Sequence, residues 1–146
     1  MRFTRKAAEP AEVIVSIEVV PEVEADDSRM AILDAQGEGF EMLRTIDIGR
    51  ALWRPDAATD LGHFERRDVV VVAAYSAEDI TAYRPLMAHC MTIVLAMGLG
   101  PQLGSRALTL GAIAYIDASL DPGSISGAFS DAFARVGTRR QRELVA

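Results

Sequence analysis

"RRDVVVVAAYSAED", residues 66–79, decides the fold. Four valines, Val69 to Val72, run into Ala73 and Ala74. A continuous β-branched run of this length reads as a strand buried on both faces, the kind found in parallel sheets. Ser76, with Asp79 three residues on, has the spacing of a helix-opening capping box. The stretch is therefore a buried strand handing over to a helix. In open α/β sheets, ligands and chemistry gather beyond the carboxyl ends of such strands. Here that end carries Ala73, Ala74, Tyr75 and Ser76, which offer little chemistry.

Working toward the C-terminus, "AEDITAYRPLMAH" places Ile80, Tyr83 and Met87 on one helical face, and Pro85 is expected to kink or split it. Residues 91–97, "MTIVLAM", read as another buried strand. "GPQLGSRALTL" reads as a helix ending at Gly111, and residues 113–119 as the next strand. Asp121 and Pro122 open a final helix, as N-cap and first-turn residue. Its Ile125, Ala128, Phe129, Ala132, Phe133 and Val136 form the cleanest amphipathic stripe in the chain.

Toward the N-terminus the pattern is weaker. Residues 1–11 lack periodicity and read as a frayed arm. Residues 12–20 read as a first strand ended by Pro21. Residues 22–36 read as an exposed helix, with Val23, Met30 and Leu33 toward the core and Gly37 and Gly39 as its stop. Residues 40–46 read as a second strand and 47–53 as a short helix, followed by a loop. The sum is a (βα)5 order: an α/β fold with a five-stranded parallel sheet, order 2-1-3-4-5, and helices on both faces.

Composition bounds the function. The chain has 146 residues, half of them apolar, enough for one domain with a real core. Fifteen Lys+Arg against 21 Asp+Glu leave a net charge of −6, which argues against nucleic-acid binding by this chain alone. A single cysteine, Cys90, rules out an internal disulfide and points to a reducing cytoplasm. No apolar run reaches membrane-spanning length, and no signal-peptide pattern opens the sequence.

The C-terminal stretch "ALTLGAIAYIDASLDPGSISGAFSDAF" resembles the ending of response-regulator receiver domains: a helix finishing in Gly-Ala, an aromatic residue on the fifth strand, then a Pro-initiated helix. "FEMLRTIDIGRAL" is similar to the family's second strand and helix start. The resemblance spans residues 13–136 and implies a regulatory rather than catalytic domain. In that family an acidic pair holds Mg²⁺, an aspartate ending strand three takes the phosphoryl group, and a Thr or Ser and a Lys contact it. Here Pro21 and Glu22 fall at the acidic pair, Ala73 at the acceptor, Ala96 at the Thr/Ser and Ala118 at the Lys. Alanine supplies no nucleophile, metal ligand or charge, so the phosphotransfer chemistry has no means to run. Tyr115 holds the aromatic switch position. The resemblance thus implies a degenerate receiver with no catalytic residue, no metal and no cofactor.

Residues 137–146, "GTRRQRELVA", loosely resemble the opening of a LuxR-type helix-turn-helix domain. They read either as a linker, the start of such a domain, or an extension of the last helix. The domain organisation expected is an arm at 1–11, a receiver-like domain at 12–136 and this segment. DNA contact would then come only through a C-terminal domain outside this chain. A homodimer is expected, with Leu103, Ala107, Leu108, Ile125 and Phe129 at its contact, and a small-molecule ligand is open.

Rival signals are weaker. "GLGPQLG", Gly98 to Gly104, is one residue off a dinucleotide fingerprint and sustains an alternative: a flavodoxin-like nucleotide-binding protein. Its last spacing is wrong and Pro101 sits in the turn. His89 and Cys90 are adjacent on a helix and so point apart, which excludes a base–nucleophile pair. His63 stands alone in a polar loop. Glu22, Glu24, Asp26 and Asp27 read as a solvated helix start, with a divalent-ion site as the alternative.

Overall fold

The computed structural model describes residues 29–55 and 64–145, with side chains for 30–55 and 64–139. Five parallel strands form one sheet: β1 (Arg29–Leu33), β2 (Ala51–Trp53), β3 (Val69–Ala74), β4 (Met91–Ala96) and β5 (Ala114–Asp117). Their order is β2-β1-β3-β4-β5, as the sequence implies. The helices are α1 (Glu38–Leu43), α2 (Ala77–Ala82), α3 (Arg84–His89), α4 (Gly104–Leu110) and α5 (Pro122–Val145).

The valine strand is the centre. All six residues of β3 and all six of β4 are buried, and they pair in parallel from Val69↔Met91 to Ala74↔Ala96. Alternate side chains feed two cores. Val69, Val71, Ile93 and Leu95 meet α1 and α5 through Leu43, Ile125, Phe129 and Val136. Val70, Val72 and Val94 meet α2, α3 and α4 through Ile80, Leu86, Met87 and Ala107.

Pro85 splits the helix expected over residues 77–89: α2 ends at Ala82, Tyr83 adopts a non-helical ψ, and Pro85 sits in the first turn of α3. Asp121 caps α5 by accepting the Ser124 amide at 3.1 Å. This helix runs unbroken from Pro122 to Val145, so residues 137–145 continue it. Val136 is its last buried residue among the described side chains.

The first half corrects the sequence reading. The strand at 12–20 lies outside the described residues. Residues 29–33, assigned to a helix over 22–36, form the strand between β2 and β3. Met30, Ala31 and Leu33 are good helix formers, so propensity favours a helix there. Burial of Met30, Ala31 and Ile32 between two neighbouring strands overrides it. Residues 40–46, read as a strand, contain most of α1. Residues 47–53, read as a helix, contain β2, a three-residue edge strand. The order of elements survives because helix and strand exchange places together.

Candidate functional site

The shift moves the acidic position. The residue that follows β1 is Asp34, with Ala35 beside it, whereas Glu22 lies outside the described residues. Asp34 is only 5% exposed, and both oxygens of its carboxylate accept hydrogen bonds. Oδ1 accepts the amides of Gly37 at 2.9 Å and Gln36 at 3.2 Å, and the Tyr75 hydroxyl at 2.5 Å. Oδ2 accepts the Phe40 amide at 2.9 Å. The Tyr75 oxygen in turn accepts the Gly39 amide at 3.3 Å.

Helix α1 explains the arrangement. Its N-cap is Gly37, which has φ +89° and no side chain with which to cap. The open amides of the first turn must find acceptors elsewhere. Asp34 serves Phe40 and Tyr75 serves Gly39, so both residues act as remote caps. Burial pushes the Asp34 carboxyl up. The Tyr75 hydroxyl and the Phe40, Gly37 and Gln36 amides outweigh that and hold it below its ordinary 3.8. Burial, then the bond to Asp34, pushes the Tyr75 phenol up to about 12.

Neighbouring elements hold the pair. The Tyr75 amide donates to Asp79 Oδ2 at 2.8 Å, and the Asp79 amide donates to Ser76 Oγ at 3.2 Å. This is the capping box expected at Ser76, reaching back one residue further than usual. From beyond β2, Arg54 donates through Nε to the Asp34 carbonyl at 3.0 Å and through Nη2 at 2.5 Å.

The alanines fall along the same edge. Ala73 and Ala96 are buried at the ends of β3 and β4, and Ala118 follows β5, its amide donating to the Ala96 carbonyl at 2.9 Å. Helix α1 rests directly on this floor. A Cβ added to Gly39 would lie 3.2 Å from Ala73 Cβ, Asp34 Oδ2 and Leu95 Cδ2. The space above Ala73 is thus occupied by backbone, a carboxylate and a leucine.

Tyr115, on β5, donates its hydroxyl to the Gly100 carbonyl at 2.6 Å. Its ring lies against Gly104, where an added Cβ would come within 3.2 Å of Cδ2. Gly98 and Gly100 both have φ near +70°, at 74° and 72°. Turn geometry and the Tyr115 ring therefore account for all three glycines of "GLGPQLG" without a nucleotide.

Other candidates are separated. His89 bonds the Phe64 carbonyl through Nε2, while Cys90 is buried among apolar residues and its thiol is pushed up to about 11 by burial. No group of three or more His, Cys, Asp or Glu able to hold a metal occurs among the described residues. No helix among them is long and apolar enough to cross a membrane. Of the expected dimer contacts, Ala107, Ile125 and Phe129 are buried in the domain's own cores and cannot meet a partner. Leu108 is 49% exposed and Leu103 half-buried. The amphipathic stripe of α5 signals its own core, not a contact.

The sequence reading missed Asp34 and Tyr75. The signal for the first was an apolar run, "MAIL", ended by an aspartate and two nearby glycines.

No protein-family model matches the sequence, and no curated protein matches it. Its structural likeness is to receiver domains. The signal receiver domain of a protein assigned as a Luxo repressor from Vibrio parahaemolyticus superposes with a TM-score of 0.56 at 9% identity, covering 80% of this chain and 97% of that one. The response regulator StyR superposes with a TM-score of 0.52 at 14% identity, covering 81% of this chain and 65% of that one. The chain therefore has the flavodoxin-like fold of response-regulator receivers. The cation and phosphoryl group that such a fold implies do not fit the residues present. The carboxylate that follows β1 is Asp34, its oxygens are engaged by four donors, and the floor is alanine.

Proposed function

We propose that this chain is a non-enzymatic regulatory domain of receiver type that works without phosphorylation, through contact with other protein. One observation carries the reading. Ala73, Ala96 and Ala118 stand where the resemblance places the acceptor, the Thr/Ser and the Lys, and Asp34, the carboxylate that follows β1, is committed to capping α1. An aspartyl phosphate needs a carboxylate nucleophile, and the methyl group of Ala73 supplies none.

The resemblance of residues 137–146 to a LuxR-type opening favours a cytoplasmic transcription regulator whose DNA contact lies in another domain. A homodimer fits that role, since a two-fold protein matches a palindromic operator. Leu108, exposed on α4, is the apolar residue we place at its centre, with Leu103 beside it. Incubation with acetyl phosphate and Mg²⁺, followed by mass spectrometry of the intact chain, tests the central claim. The expected result is an unchanged mass. A phosphoryl adduct would overturn the reading.

A further inference from the structure

We propose that Tyr75 is a built-in stand-in for a cation: its phenol holds the position on Asp34 that a cation would take, and closes that carboxylate to divalent ions. The inference rests on the reading above of a receiver-type edge without phosphate chemistry. It goes further by naming the group that replaces the ligand.

Three observations converge. First, the Tyr75 hydroxyl is a donor aimed at a nearly fully buried carboxylate, 2.5 Å from Oδ1. A neutral donor at that distance satisfies a buried anion much as a bound ion would, without bringing a second charge into the site. Second, the same oxygen accepts from Gly39, so the phenol bridges a carboxylate and a helix amide in one contact. Third, the loop that carries Tyr75 is fastened at its root by Asp79 and Ser76, which sets the ring's direction before it reaches Asp34. Tyr75 therefore ties the end of β1 and the start of α1 to the end of β3. In a ligand-responsive domain those junctions are free to change when the ligand arrives. Here an internal side chain joins them.

The test uses Mn²⁺ alone as a probe, on the 146-residue chain labelled with ¹⁵N. Paramagnetic broadening of the Gly37, Gly39 and Phe40 amides reports any ion reaching Asp34. Wild type should show no localised broadening there. Tyr75→Ala should show it, with Mn²⁺ binding tighter by about ten- to a hundredfold, the worth of one hydrogen bond to a charged group. Tyr75→Phe, which keeps the ring, should move the Gly39 amide resonance because its acceptor is gone. Localised broadening in wild type equal to that of Tyr75→Ala would overturn the proposal. So would an unmoved Gly39 resonance in Tyr75→Phe. Should Tyr75→Ala fail to fold, wild type and Tyr75→Phe decide the question. Failure here is separable from failure of the functional reading. Mn²⁺ at Asp34 without a phosphoryl adduct removes only the role of Tyr75, whereas an adduct removes the phosphorylation-independent reading itself.

Discussion

Two tyrosines stand at the carboxyl edge of the sheet, and they are fixed in different ways. Tyr75 follows β3 and donates to a buried carboxylate; Tyr115 lies on β5 and donates to a backbone carbonyl in the loop before α4. Burial raises both phenols; at Tyr75 a hydrogen bond to an anion adds to it and the value reaches about 12, whereas at Tyr115 the second cause is the nearby Asp117 charge. The contrast teaches where the edge is specified. On the β1–β3 side a charge is held inside the fold by a set of donors that must all be present. On the β4–β5 side a neutral contact closes a glycine turn, and losing it strands no charge.

The strongest way to break this comparison is Asp34→Ala. It leaves three amides and a phenol without their acceptor, and the loss should be about 3 kcal/mol in denaturant unfolding. The acid limb sharpens the point. The folded-state value of Asp34 lies below its ordinary 3.8, so its contribution is full above that pH and is lost as pH falls through the lower folded value. Asp34→Asn should flatten that part of the stability profile, and an unchanged acid limb would contradict the assignment. At the alkaline end, Tyr75 contributes fully below its ordinary 10.0 and the contribution is lost as pH rises toward about 12.

Gly39→Ala comes next, at about 2 kcal/mol by calorimetry, because a methyl group must displace Ala73, Asp34 or Leu95. The direct comparison of the tyrosines follows. Tyr75→Phe should cost about 1.5 kcal/mol and Tyr115→Phe about 0.5 kcal/mol. Equal losses would show that the carboxylate adds nothing. The smallest effect on stability belongs to Leu108→Glu, within about 0.5 kcal/mol because the side chain is half exposed. Its readout is mass in solution. Light scattering should find a dimer for wild type and a monomer for Leu108→Glu, and a wild-type monomer would discard the contact.

How much of this was legible in the sequence follows from the residues themselves. From Val69 onward the elements announce themselves. "VVVV" and "TIV" are continuous β-branched runs, Ser76 and Asp121 are strong caps, and Gly111 ends a helix at φ +120°. Before Val69 they do not. Met30, Ala31 and Leu33 suit a helix, and only the strands on either side make them extended. Ala51–Trp53 is three residues long, too short for periodicity to register. The alanines of the edge were readable one by one. Asp34 and Tyr75 were not readable as a pair, because they are 41 positions apart and neither belongs to a spacing motif.

The unequal lengths of the strands carry a consequence for how the molecule breathes. Strands β3 and β4 share six register pairs in which every residue is buried, while β2 meets the sheet through three pairs at an open edge. Local opening draws on the segment with the least burial. Amide hydrogen exchange should therefore rank the sheet from outside in. The β2 amides exchange through a sub-global opening that leaves the centre intact. The amides of Val70 to Val72 and Ile93 to Leu95 exchange only when the whole domain unfolds, and they report its global stability.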